Sequence, residues 1–332
     1  MFVELLCASY ERYRENIDDA ASESEPPKGG MALRKIRITV YHAQKMDYPQ
    51  TSQEWDGFDG IIIPGSLSAA YDTHIEWIHR LLSVIQTEIH EKRRKTLGVC
   101  FGHQCFAHSF RSSAKDSDHS TSEENDDSES NERGDGGGGL ATECCIGPMA
   151  GRRAFRLTAE GKFLLGGTTT VTSRREHQVS LRNDLAKNNY LSSPKEYLEM
   201  LYTRVGISLC GDDNLPNEAC AYFASEEDAM CFRNCVAQDT DMDSSASACL
   251  KCSKASWPQP YAITYQAHPE FMSDTGYKVN FINTVSAMEK RGSIHHETSR
   301  QACEDADSNY NVLLENCLNA TISTGVTLGW FK

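Results

Sequence analysis

The chain has 332 residues, 39% of them hydrophobic, enough to bury a real core, and its 47 acidic and 33 basic side chains give a formal charge of -14. That balance argues against nucleic-acid phosphates or an anionic membrane surface as partners, and no uncharged apolar run approaches the roughly 18 residues of a membrane helix. Thirteen cysteines, an odd count in a long chain, and an N-terminus without the basic-then-apolar pattern of a leader predict reduced thiols in a cytosolic (cytoplasmic) protein.

In chain order, three short apolar runs at residues 2–7, 36–41 and 60–64 read as strands. The third contains Ile61-Ile62-Ile63, β-branched throughout with no polar alternation, as in a parallel strand covered on both faces. Residues 18–30, rich in Ser, Glu, Pro and Gly, read as a loop. From 73 to 94 the residues Ile75, Ile78, Leu81, Leu82, Ile85 and Ile89 recur every three or four positions, which predicts an amphipathic helix. A fourth apolar run, 96–99, then leads to Cys100. Strand, helix, strand is the rhythm of an α/β domain with a doubly wound, mostly parallel sheet flanked by helices.

Residues 112–139 are crowded with Asp, Glu, Ser and Gly and predict a disordered acidic insertion, a solvated linker or a phosphorylation or partner segment. Short strands are expected at 154–158 and 171–172, and a second polar, cysteine-bearing insertion at 226–256. The last clear strand is 261–266, followed by a helix at 277–288 and a helical extension over 291–332. In the second insertion Cys231, Cys235, Cys249 and Cys252 have a spacing open to tetrahedral zinc. The residues between them lack the turns and apolar positions of small zinc modules, so free thiols are expected and no metal site is predicted. Asn319-Ala320-Thr321 matches a glycosylation acceptor by chance composition.

The sharpest local pattern is Leu97-Gly98-Val99-Cys100-Phe101-Gly102-His103-Gln104. Glycines two before and two after a nucleophile-type residue, at the end of an apolar strand, suit a tight strand-to-helix elbow. A helix starting after Cys100 would point its positive end at the sulfur and favour the thiolate. A tight turn around a buried small residue gives the same short pattern. Further along, the strand at 262–266 runs into Ala267-His268-Pro269-Glu270, a base followed two residues later by a carboxylate able to orient it. Upstream, Ile61-Ile62-Ile63-Pro64-Gly65-Ser66 carries a buried strand into a glycine turn. The N–H groups of Gly65 and Phe101 there could face a developing oxyanion.

Taken together, residues 97–104, Pro64-Gly65-Ser66 and His268-Pro269-Glu270 resemble the class I glutamine amidotransferase domain, above all its stand-alone branch, which includes plant γ-glutamyl peptidases. His177-Gln178 matches the family only loosely. The resemblance implies a flavodoxin-like fold over a domain of residues 1–290, interrupted by the two insertions. It also implies a Cys100, His268 and Glu270 triad, an oxyanion hole at Gly65 and Phe101, and substrate binding by Gln104. The expected reaction is cleavage of a γ-glutamyl amide, from glutamine or a γ-glutamyl peptide, through a thioester, with no cofactor. No ATP-binding loop or pyrophosphatase motif accompanies it. The chain is therefore expected either to hydrolyse on its own or to pass ammonia to a separate synthase subunit. A catalytically silent interaction protein that kept the fold is the rival of another class.

Overall fold

The computed structural model describes residues 1–21, 36–68, 70, 72–110, 154–165, 177–178, 205–211, 218–240, 257–272, 280–292, 294–308 and 310–331. The expected acidic insertion at 112–139, the strand at 171–172 and residues Cys249 and Cys252 lie outside them.

The first element is helix α1 (Phe2–Ala21), where the apolar run at 2–7 was expected to be a strand. A six-residue apolar run is compatible with either state. Leu5, Leu6, Ser9 and Tyr10 are all buried, and their three-to-four spacing is the helical face that decides it. Residues 36–41 also depart from expectation: no described strand pairs with them, and Ile36, Ile38 and Val40 are 39%, 40% and 69% exposed. β-Branched residues favour a strand only where a neighbouring strand and a covered face receive them.

Helix α2 (Ser52–Asp56) is closed by a capping box, in which the Thr51 hydroxyl accepts from Glu54 N–H and the Glu54 carboxylate accepts from Thr51 N–H. Strand β1 (Ile61–Ile63) follows. Helix α3 (Glu76–Val84) continues as a π-helical turn through His90, within the amphipathic segment expected there. Then come β2 (Thr96–Val99), α4 (Phe101–His108), β3 (Ala154–Leu157), α5 (Ala159–Leu165), β4 (His177–Gln178), β5 (Gly206–Gly211) and β6 (Ala219–Tyr222). The chain goes on through α6 (Glu226–Thr240), β7 (Ala262–Tyr265), α7 (Ile282–Lys290), α8 (His296–Ser308) and α9 (Tyr310–Thr327).

The strands form one seven-stranded sheet in the order β1-β2-β7-β6-β5-β3-β4. β1, β2 and β7 pair in parallel, whereas the pairings from β7 through β6, β5 and β3 to β4 are antiparallel. The fold is the expected α/β one, and most strands run in one sense, with β6 and β3 reversed. The sheet is nonetheless mixed: parallel hydrogen bonding is confined to the half that contains Cys100.

Both faces are covered, as the alternation of side chains requires. Leu97, Val99, Ala219, Ala221, Ile263 and Tyr265 pack on one face with Leu164 and Leu165 of α5 and Phe232 and Val236 of α6. Ile63, Cys220, Tyr222 and Ala262 turn to the other, against Ile78, Leu82 and Ile85 of the α3 segment and Phe101, Cys105 and Phe106 of α4. The stretch at 226–256 was expected to loop out. Its first half is instead α6, with Ala229, Phe232, Cys235 and Val236 buried in the core. Those four recur at spacings of three, three and one, a helical stripe masked in the sequence by the acidic residues on its other side.

Candidate active site

Because β1, β2 and β7 are parallel neighbours, their carboxyl ends open at the same edge of the sheet. The residues that follow them are Pro64-Gly65, Cys100 and Gln266-Ala267-His268. Such an edge of a parallel sheet is where α/β folds place ligands.

Cys100 forms the corner between β2 and α4. Its φ of 52° and ψ of −106° lie where a side chain is strained, and two backbone bonds hold it there. Its N–H donates to the Tyr265 carbonyl (2.7 Å), and its carbonyl accepts from Gln104 N–H (3.0 Å). The flanking glycines are steric necessities. A Cβ on Gly102 would lie 2.1 Å from the Ile63 carbonyl oxygen, and one on Gly98 would lie 2.8 Å from Thr264 Cγ2. The corner closes against β1 and β7 only because both positions lack a side chain.

Gly65 joins the same cluster. A Cβ there would stand 2.5 Å from His268 Cε1 and 3.4 Å from Cys100 Cβ, so the turn after β1 lies directly against both side chains. Phe101 opens α4, and its buried ring packs on Trp77 with centroids 5.5 Å apart. Its amide belongs to the first turn, whose N–H groups have no partner within the helix.

His268 Nδ1 is 2.8 Å from Glu270 Oε1. The imidazole stacks on Phe271 at 4.5 Å and 4° between planes, which fixes the ring's orientation. Glu270 is buried, and its second oxygen has no hydrogen-bond partner among the described residues. Burial opposes a charge on the His268 ring, but hydrogen bonds to Cys100 and Glu270 outweigh it and lift the imidazole to about 10.

The structure thus brings together Cys100, His268, Glu270 and Gly65, with Phe101 next to the cysteine in the chain. Gln104 enters indirectly: its Nε2 donates to Gln266 Oε1 at 3.2 Å, and Gln266 Nε2 lies 3.7 Å from the Cys100 sulfur. Gln266 was not singled out in the sequence, and neither was Thr264, whose hydroxyl meets His103 Nδ1 at 2.8 Å. Period-two alternation back from His268 marks both. Cys231 and Cys235 stand one turn apart on α6, with Cys235 in the core. Thr321 of the Asn-x-Thr triplet is buried in α9, where its hydroxyl donates to the Cys317 carbonyl.

A family model for class-I glutamine amidotransferases matches residues 30–231, more than half of the chain. It ends before His268. A yeast protein, Saccharomyces cerevisiae, named as a putative glutamine amidotransferase, is 37% identical over 81 residues, 24% of this chain and 32% of that protein. Gamma-glutamyl peptidase 5 of Arabidopsis thaliana is 40% identical over 52 residues, 16% of this chain and 20% of that protein. The matches thus span about a third and a fifth of these relatives' lengths. A solved glutamine amidotransferase from Thermotoga maritima aligns over 92% of this chain and 91% of its own, with 12% identity and a TM-score of 0.45.

Proposed function

The chain belongs to the class I glutamine amidotransferase family, and on that premise we propose that it hydrolyses γ-glutamyl amides through a thioester on Cys100. The observation that carries the reading is the convergence of three strand ends on one point: a Cβ on Gly65 would lie 2.5 Å from His268 Cε1 and 3.4 Å from Cys100 Cβ, and Glu270 Oε1 holds His268 Nδ1 at 2.8 Å. A ring whose charged form the site favours, beside a strained and partly buried cysteine, suits proton exchange between sulfur and imidazole.

In this reaction the thiolate attacks the γ-carbonyl carbon, and its electrons displace the carbonyl pair onto oxygen. The N–H groups of Gly65 and Phe101 receive that oxyanion. The C–N bond then breaks as His268 gives its proton to the departing nitrogen, which leaves as ammonia or an amine. Neutral His268 next takes a proton from water, the hydroxide adds to the thioester, and the C–S bond breaks to release glutamate and restore the thiolate. Glu270 holds the imidazole in one tautomer and balances its charge throughout. Gln104 belongs to the proposed surface for the glutamyl group. No step calls for a metal or a cofactor.

The test is glutamate release from glutamine, glutathione and γ-glutamyl anilides by purified protein and by Cys100→Ala, with labelling by a glutamine-derived chloroketone. Release that depends on Cys100, together with label on that residue, supports the proposal. Release by Cys100→Ala at the full rate, or no release and no label, sinks it. Activity that appears only with a co-purifying protein would assign the leaving ammonia to a separate synthase subunit.

A further inference from the structure

We infer that Gln266 is a further catalytic residue, whose side-chain amide donates to the Cys100 sulfur, and that Gln104 is the positioning residue that fixes which way this amide faces. The inference rests on the proposed role of Cys100 as nucleophile.

Gln266 follows β7 directly, and its own N–H donates to the Glu218 carbonyl at 2.9 Å, so its backbone is held as if the strand continued. From there Nε2 reaches to 3.7 Å from Cys100 Sγ, a distance suited to the large, diffuse lone pairs of sulfur. A carboxamide has a donor end and an acceptor end of almost equal size. Facing the wrong way, it would set an oxygen against a thiolate and repel it. Gln104 Nε2 donates to Gln266 Oε1 at 3.2 Å, which occupies the acceptor end and leaves the N–H₂ for the sulfur. Gln104 is one turn beyond Cys100 on α4, with its N–H on the Cys100 carbonyl. The residue that sets the amide therefore moves with the nucleophile.

The chemical value of this donor differs from that of His268. A histidine that stabilises the thiolate must surrender its proton to the leaving nitrogen, and it carries no charge again until it has taken a proton from the attacking water. The Gln266 amide never titrates, so it serves both half-reactions. It steadies the thiolate before attack, and when the C–S bond of the thioester breaks and the electron pair returns to sulfur, the same N–H meets it.

The measurement is the rate at which iodoacetamide alkylates Cys100 in the full chain without substrate, read by mass spectrometry of the Cys100 peptide from pH 5 to 9. Gln266→Leu should slow alkylation at pH 6 by about tenfold, the lower end for one hydrogen bond to a charged acceptor, and move the profile to higher pH. Gln266→Glu keeps the shape but faces the sulfur with a carboxylate, and should slow it further. Gln104→Leu should slow alkylation by about twofold alone, since water can partly reset the amide, and not at all in the Gln266→Leu background. Wild-type profiles in both Gln266 variants, each with a native circular-dichroism spectrum, would overturn the inference. Equal slowing by Gln104→Leu in both backgrounds would overturn the positioning role. Since alkylation needs no substrate, absence of γ-glutamyl hydrolysis leaves this result intact, whereas a profile indifferent to His268→Asn would sink the triad reading itself.

Discussion

The two ends of helix α4 and strand β7 each meet a histidine, His268 at one and His90, from the π-helical turn after α3, at the other, and the two behave oppositely. At one end His268 faces the Cys100 thiol and the Glu270 carboxylate, and is lifted to about 10. At the other, His90 is buried with Nδ1 2.8 Å from the Tyr261 hydroxyl and Nε2 2.7 Å from the Ser109 hydroxyl. Burial, aided by the Arg93 guanidinium and only partly offset by a bond to the Phe106 carbonyl, lowers it to about 3. Cys105, near this end and fully buried, is a thiol that burial pushes up beyond the range of thiolate chemistry. The lesson is that residue type does not decide which histidine favours a charge. Ionisable partners favour the charged form of His268, and burial among neutral hydroxyls makes His90 a piece of core.

The strongest way to break this contrast is to remove its nucleophile. Cys100→Ala should cost roughly 10⁴-fold or more in γ-glutamyl hydrolysis, and adding His268→Ala should cost little further, because groups that act as a unit are not additive. Cys105→Ala, measured beside it, should leave the turnover number nearly unchanged in whatever fraction is folded. Glu270→Gln preserves the shape and removes the charge. It should lower the turnover number by about a thousandfold and bring the His268 ring titration, followed by NMR, down from about 10.

Gly102→Ala tests the frame that the reactive pair depends on. With a Cβ 2.1 Å from the Ile63 carbonyl oxygen, it should destabilise the fold by about 3 kcal/mol in urea unfolding. The neutral pair is tested by acid. His90 titrates lower when folded than its ordinary 6.5, so the unfolded chain binds the extra proton between those values. Stability should therefore fall as pH drops from about 6.5 towards 3, by up to about 1.4 kcal/mol per unit. His90→Gln should flatten that slope. The smallest expected effect is Thr324→Val, which removes the 2.7 Å partner of the buried Tyr265 hydroxyl and should cost about 1–2 kcal/mol.

What the sequence made legible is concentrated where local geometry leaves few choices. The glycines around Cys100 could be read because only a residue without a side chain fits at 98 and 102, and β2 and β7 because fully buried strands carry unbroken apolar runs. The first helix was misread because a short, mostly apolar run fits either period, and α6 because its buried stripe is diluted by Glu226, Glu227 and Asp228. The antiparallel half of the sheet was not legible: strand order depends on contacts between segments distant in sequence. The Gln104–Gln266 pair was invisible for the same reason, since 162 positions separate its members.

The place of β7 in the sheet has a consequence for how the molecule is made. It is the last of the described strands, yet it lies between β2 and β6, so during synthesis both of those strands wait with an open edge. At about 5–20 residues per second, Cys100 leaves the ribosome many seconds before His268 does. Until β7 inserts, the cysteine lacks both the His268 imidazole and the Tyr265 carbonyl that pins its backbone. A nascent chain therefore carries a cysteine without either neighbour, and closure of the sheet and assembly of the proposed site are one event.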